Sequence, residues 1–407
     1  MRVLYYHQHF TTPKVGGATR SYEFAQRLIA RGHQVTMVCG GNHDFKLKPT
    51  DMKYVTRGDL DGIDLIQIKV PYGNKMGLVE RAKSFGQYAI VGKKLLKKLD
   101  YDLVFCTSTP LTAGMPGYYA KNKYKKPFVF EVRDLWPDLP KALGMKNPVF
   151  ISIMKYLEKK SYNRANGCIG LSPGICEGIK SRSQTGKPIE MIPNGCDLDV
   201  FKPDDRTNLK LEGIKSSDTV AIFTGAHGIA NGLDSILNAA GILKQRGRYD
   251  IVFAFIGDGR EKPRLVERAK NEGLDNCRFY NPVPKTQLKD IVCSADIGLM
   301  CLKNVSAFYY GTSPNKFFDY IASGLPVLNN YPGWLADMIK ENECGIAVEP
   351  GNAEAYADAM EYLADHPEVR KTMGENARKL AERDFNRDDL ADKFTVFLEK
   401  MYKEHNS

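Results

Sequence analysis

Two doubly wound α/β domains in tandem are what this 407-residue sequence predicts, and three observations predict them. Short β-rich runs alternate with helical patterns from end to end, as parallel α/β units require. The alternation breaks and restarts once, after the polar stretch "IPNGCDLDVFKPDDRTNLK". The length exceeds what one ordinary core holds, so two domains of about 200 residues each are expected.

In the first half, strands are expected at "RVLYY", "QVTMVC", "DLIQIKV", "DLVFCTS", "PFVFEVR", "GCIGLS" and "EMIP". The second half offers "TVAIFTG", "IVFAFIG", "CRFYNP", "DIGLMCL", "PVLNN" and "GIAVEP". The helix after the first strand places Ala18, Tyr22, Ala25, Leu28 and Ile29 on one face, with Gly32 past its end. Its counterpart "GLDSILNAAGILKQRG" does the same with Leu233, Ile236, Leu237, Ala240 and Leu243. The hinge falls near residue 197, giving domains over 1–197 and 198–385. The last segment, from about 386 to 407, reads as one more helix with no strand after it. Two such sheets leave a cleft between them, and ligands bind at the carboxyl ends of strands.

Composition narrows the class. Hydrophobic residues make up 43%, and no stretch approaches the roughly 18 apolar residues that span a bilayer. "MRVLYYHQHF" alternates apolar and polar residues, so a strand is expected there and not a leader. Nine cysteines with no CxxC pair predict buried, reduced thiols in a cytosolic chain, without a zinc site. The net charge of +10 is uneven: residues 1–200 carry 31 Lys and Arg against 17 Asp and Glu. Basic runs such as "KKLLKKLD" and "KNKYKKP" point to an anionic membrane surface. Nucleic acid is not expected, because aromatic and basic residues are not interleaved on a recognisable motif.

Four groups of loops after strands carry candidate chemistry. "TPKVGGATRSYEF" sets Gly16 and Gly17 before a helix N-terminus, where free amides and the helix dipole favour an anion. "EVRDLWPDLP" gathers Glu131, Arg133, Asp134 and Asp138 around Trp136, where a substrate is expected to face them. "TGAHGIANGLD" and "IGDGREKPRL" occupy equivalent places in one domain, and their Gly225, His227, Gly257 and Arg260 suggest a nucleotide cradle, to which Lys262 adds charge. In "YYGTSPNKFFDYIASGLPVLNN", Ser313 or Thr312 caps a helix that starts at Pro314 and ends at Gly324. That puts Lys316 in the first turn beside Asn315, opposing the dipole at a cost of about 0.3–1 kcal/mol. A diphosphate there would turn Lys316 into a charge-assisted partner, with Asp319 one turn on for the ribose. The plainer alternative is an exposed Lys316–Asp319 pair.

Together these stretches resemble the family 4 glycosyltransferases, and in particular the WbuB-like subgroup that assembles O-antigen and capsular polysaccharide. The resemblance runs through "GGATRSYEFAQRLIARGHQVTMVC", "EVRDLWPD", "IPNGCD", "GDGREKPRL" and "SPNKFFDYIASGLPVL". It implies the GT-B fold of two Rossmann-like domains and transfer of a sugar from a nucleotide diphosphate sugar, UDP-linked for preference. It also implies retention of configuration, no metal and no cofactor. The first domain would hold a glycan or polyprenyl-diphosphate-linked acceptor at the cytoplasmic face of a membrane, with the last helix crossing back to it. By the same resemblance Gly16, Gly17 and Lys316 meet the donor phosphates, Asp319 holds the ribose, and Asp134 or Asp138 assists the acceptor hydroxyl, beside Arg133 and Trp136. The chain departs from the family twice. Gly311 stands where the first of two paired glutamates belongs, and "GAHGIANG" lacks the family's Arg and Lys, leaving Lys316, backbone amides and Arg260 for the diphosphate. A nucleotide-sugar 2-epimerase and an inactive scaffold subunit stay open beside the transferase.

Overall fold

Strands that are apolar at successive positions are covered on both faces, and the computed structural model builds two sheets from them. It describes residues 1–14, 19–41, 43–73, 76–203 and 211–407. The first sheet holds β1 (Arg2–Tyr6), β2 (Gln34–Cys39), β3 (Lys48–Pro49), β4 (Val55–Leu60), β5 (Ile63–Ile68), β6 (Leu103–Thr107), β7 (Phe128–Val132), β8 (Gly167–Gly170) and β9 (Ile189–Met191). Its order is β3-β4-β5-β2-β1-β6-β7-β8-β9. The second holds β10 (Thr219–Thr224), β11 (Ile251–Ile256), β12 (Cys277–Tyr280), β13 (Ile297–Met300), β14 (Val327–Asn329) and β15 (Gly345–Ala347), ordered β12-β11-β10-β13-β14-β15.

The expected fold class is therefore present, and every strand expected from the sequence appears. The β3–β4 ribbon was not expected. It pairs antiparallel at the sheet's edge beside β5, where one covered face leaves only a weak apolar signal. The strand order reverses between β1 and β6 and again between β10 and β13. Connections part at such points and open a crevice at the carboxyl ends.

Alternate residues of each inner strand enter different cores. Val3 and Tyr5 of β1 pack with Phe24, Leu28, Phe105 and Phe394, while Leu4 and Tyr6 pack with Tyr88, Phe130 and Tyr162. The last helix, Arg387–Asn406, supplies Leu390, Phe394 and Leu398 to the first-sheet core. The nine cysteines are free thiols and all but Cys176 are buried. Among the described residues no helix is long and apolar enough to cross a membrane.

Helix Arg20–Ala30 is turned from the expected face. It buries Arg20, Ser21, Phe24, Ala25 and Leu28, leaving Tyr22 and Ile29 half-buried; Ala18 lies outside the described residues. Arg20 accounts for the rotation. Its guanidinium, 1% exposed, bonds the fully buried Glu131 (Nη2–Oε2 2.8 Å) and the carbonyls of Ile192 (2.8 Å) and Pro193 (2.6 Å). Thr107 Oγ1 donates to the other Glu131 oxygen at 2.7 Å. Glu131, grouped in the sequence with substrate-facing residues, is thus a structural anion that ties β6, β7, the first helix and the strand-to-hinge segment together. Removing one partner of a buried pair strands the other, so Glu131→Ala is expected to lose about 3–5 kcal/mol in urea unfolding. A loss of about 1 kcal/mol, the value of an exposed pair, would show that water reaches Arg20.

Candidate functional site

At the carboxyl ends of β10 and β11 two glycine turns touch. Gly225 has φ +119° and Gly257 φ +151°. A Cβ on Gly257 would sit 1.9 Å from the Gly225 carbonyl oxygen, so only glycine permits the approach. Gly225 N donates to Ile256 O, and His227 N to Asp258 O, both at 2.9 Å.

Helix Asn315–Ala322 brings Lys316 to these turns; a Cβ on Gly225 would lie 3.5 Å from Lys316 Cε. The helix starts one residue later than expected, with Pro314 as N-cap, and neither Ser313 nor Thr312 caps it. Ser313 is spent between the domains instead. Its Oγ accepts from Asn194 N (3.0 Å), and its carbonyl accepts from Asn194 Nδ2 (2.5 Å). Thr312 Oγ1 donates to Phe308 O. Gly324, at φ +69°, ends the helix as expected.

Lys316 Nζ donates to Asn231 Oδ1 at 3.1 Å and lies 4.1 Å from the centre of the Phe223 ring. Among the described residues no carboxylate pairs with it, so the simple Lys316–Asp319 pair is not formed. Burial pushes its ammonium down to about 8. One turn on, burial pushes Asp319 up to about 6, with Lys285 opposing and Asp197 reinforcing the rise. Gly225, Gly257, Asn315, Lys316 and Asp319 share one cavity of about 560 Å3, closed on the other side by Thr19 and Arg387.

Other candidates stand elsewhere. Gly16 and Gly17 lie outside the described residues. The His227 ring is fully buried among Phe223, Phe255 and Phe279, with centroids 6.0–6.3 Å away. Burial holds it down to about 4, so His227 is neutral packing beneath the loop and not a donor ligand. Arg260 is exposed and does not line the cavity. Lys262 braces the turn from behind, donating to Gly257 O (2.8 Å) and Tyr280 O (2.7 Å).

In the first domain, Arg133, Asp134 and Trp136 are half-buried after β7, outside that cavity's lining. Arg133 Nη1 lies 3.2 Å from His7 Nε2, and burial raises the Asp134 carboxyl above its ordinary range against the pull of Arg133. Asp138, expected beside the reacting sugar, is ion-paired with Arg182, which also holds Glu158 at 2.8 Å. The ion pair holds Asp138 against Arg182 at the start of helix Asp138–Ala142, outside the cavity's lining.

Two cations that line the cavity were missed. Lys285 opens helix Lys285–Cys293 and pairs with Asp197, with Nζ 3.5 Å from Thr19 Oγ1. Arg387 Nε holds the same Asp197 at 2.6 Å. The signal for Lys285 was present: "PVPK", like "SPNK", sets a lysine in the first helical turn just after a proline N-cap.

Two family models match the chain: Glycosyltransferase Family 4 over residues 15–200 and Glycosyl transferases group 1 over residues 204–380. Each model covers a little under half of the chain, one in each domain, and both describe glycosyltransferases. Similar relatives include a D-inositol 3-phosphate glycosyltransferase of Kribbella flavida, 28% identical over 46% of this chain and 46% of its own length. A second, from Catenulispora acidiphila, is 26% identical over 70% of this chain and 67% of its own length. An N-acetyl-alpha-D-glucosaminyl L-malate synthase of Bacillus anthracis is 22% identical over 54% and 56%. The chain spans about half the length of most of these curated relatives. Among solved structures, sucrose-phosphate synthase from Thermosynechococcus elongatus superposes with a TM-score of 0.79, at 16% identity over 99% of both chains. Anabaena HepE in complex with UDP gives 0.71, at 15% identity over 98% of this chain and 100% of its own. Both have the same fold of two Rossmann-like domains as this chain.

The two shifted groups set a pH window. An anion needs the Lys316 ammonium, which is lost as pH rises through about 8; a hydroxyl donor needs the Asp319 carboxylate, which is lost as pH falls through about 6. Nucleoside diphosphate affinity, followed by calorimetric titration, is expected to be level between these values and to fall on both sides. The fall on the alkaline side approaches about tenfold per pH unit, one proton's worth. Lys316→Met should abolish the alkaline limb.

Proposed function

We propose that the chain transfers a hexosyl or acetamidohexosyl group from a nucleotide diphosphate sugar, UDP-linked for preference, to a glycan acceptor. One observation carries the reading. A desolvated lysine, which has no carboxylate partner among the described residues, lies in the first turn of a helix, against two touching glycine turns, inside a cavity between the domains. Departure of a nucleotide builds negative charge on a phosphate, and prepositioned donors aimed at it lower the barrier. Lys316 and the helix amides supply those donors, and Lys285 lies at the same cavity. Asp319 is placed to accept from ribose hydroxyls. The donor would bind residues 198–385 and the acceptor residues 1–197 with the last helix. Transfer would retain configuration and need no metal ion.

On the acceptor side, Asp134 is the candidate to assist the attacking hydroxyl, because burial raises it toward a working base, and Arg133 is the cation beside it. The basic first half suits an anionic acceptor. D-inositol 3-phosphate and L-malate, named for the relatives, are of that kind, as is a polyprenyl diphosphate. The motif order of "SPNKFFDYIASGLPVL" supports the WbuB-like subgroup and a place in bacterial surface polysaccharide assembly, such as O-antigen or capsule, at the cytoplasmic face of the membrane.

A thermal-shift screen with UDP, GDP, ADP, TDP and CMP tests the donor half. One diphosphate at 100 times its dissociation constant is expected to stabilise the protein by about 2.7 kcal/mol. The shift should vanish in Lys316→Ala. No shift with any nucleotide would favour a scaffold subunit, and turnover of the nucleotide sugar without an acceptor would favour a 2-epimerase.

A further inference from the structure

Helix Pro148–Arg164 covers one face of the first sheet with Met154, Leu157 and Tyr162 and presents a second apolar stripe outward. Val149 is 64% exposed, Ile153 50% and Tyr156 60%, with Leu143 just before the helix at 38%. The spacing i, i+4, i+7 sets the three on one line of the helix surface. Between residues 139 and 164 the chain has six basic residues, Lys141, Lys146, Lys155, Lys159, Lys160 and Arg164, and one acidic residue, Glu158. Glu158 is buried and paired with Arg182, so the outer face carries cations alone. At the far end of the stripe a recess of about 410 Å3 is lined by Tyr156, Lys159, Lys160, Asn163, Arg164 and Gln184. Lys160 Nζ lies 5.1 Å from the Tyr156 ring centre and donates to its hydroxyl at 2.9 Å.

We propose that this helix face docks on an anionic lipid surface, with Val149, Ile153 and Tyr156 entering the interface and the Lys159–Lys160–Arg164 recess receiving a headgroup phosphate. The inference rests on the lipid-linked acceptor reading above, for which it names the membrane-facing surface. Charge complementarity chooses the occupant. A two-fold contact with a second copy would set six cations against six, whereas an apolar line rimmed by cations is what an interfacial helix needs. Topology agrees. The helix runs back against the strands, so Val149 lies at the carboxyl edge of the first sheet, where the loop bearing Arg133 and Asp134 also lies. A lipid-anchored acceptor held there has a short path to the cleft.

Flotation with vesicles of phosphatidylcholine and phosphatidylglycerol, against phosphatidylcholine alone, tests this on the full chain. The unaltered protein should float with the mixed vesicles only. Val149→Ser with Ile153→Ser should lower the bound fraction about tenfold, one exposed aliphatic pair's worth of burial. Lys159→Glu with Arg164→Glu, which keeps Val149, Ile153 and Tyr156 and the contact of Lys160 with Tyr156, should remove binding at low salt. The nucleotide thermal shift reports folding of each variant. Flotation of either variant equal to that of the unaltered protein, or no flotation of the unaltered protein, overturns the proposal. So does an apolar variant that only converts a dimer to a monomer in sedimentation. Loss of flotation beside an intact nucleotide shift leaves the transferase reading standing, and vesicle binding without any nucleotide shift removes that reading while the docking surface survives.

Discussion

Asp197 is the residue on which the arrangement of the two domains depends. It lies 7% exposed where the chain leaves the first sheet for the second, held by Lys285 from the second domain and by Arg387 at the start of the last helix. Burial pushes its carboxyl up, but Arg387 and Lys285 outweigh burial, and it stays below its ordinary range. The chain crosses between the domains twice at this point, and the crossings are bonded to each other. Cys196 N donates to Phe385 O at 2.7 Å and Arg387 N to Cys196 O at 3.1 Å. Arg378 continues the connection, donating to Phe201 O (2.8 Å) and to Ala322 O (2.6 Å). Ala322 is the last residue of the Lys316 helix, whose carbonyls a cation suits. Lys316 is therefore tied from behind, through Ala322 and Arg378, to the segment that follows the hinge.

That coupling bears on how charge in the cavity is divided. Two unit charges 4 Å apart interact by about 4 kcal/mol at an effective dielectric of 20. Lys285 and Arg387 already spend that attraction on Asp197, whereas Lys316 spends nothing comparable on Asn231 and a ring face. An arriving diphosphate has most to gain from Lys316. Lys285 is the next group within reach, and engaging it draws on the Asp197 cluster. A diphosphate that engaged Lys285 would therefore link its binding to the relation of the two domains through one shared lysine.

The sequence carried the fold wherever burial is two-sided. Thirteen strands were legible because a strand covered on both faces is an unbroken apolar run, and the Lys316 helix because its proline, apolar period and closing glycine are all local. What stayed hidden depends on residues far apart. Arg20 and Glu131 are 111 positions from each other, and nothing near either announces the pair. His227 looked like a ligand because it lies in a strand-to-helix loop; the rings that enclose it come from β10, β11 and β12. Asp138 looked catalytic until Arg182, 44 positions on, claimed it. Lys285 was legible by its likeness to Lys316, yet its role required knowing that the hinge folds back beside it.

Gly311 can now be placed among these charges. A Cβ there would meet the Ala307 carbonyl oxygen at 2.5 Å, so the loop is built without room for a side chain, and a glutamate would require the backbone to move. The resemblance puts one glutamate at this position and an arginine and a lysine in the glycine loop, and all three are missing here. One anion and two cations are gone, so a diphosphate would meet one positive charge fewer than in the family's pattern. A site that lost only the cations would oppose the diphosphate with an extra carboxylate. Having lost all three, this one keeps Lys316, which among the described residues pairs with no carboxylate, and its low-dielectric surroundings make that single charge count for more. On the donor reading proposed above, the departures are one alteration of the grip, carried by a lysine that holds only Asn231 and a ring face among the described residues.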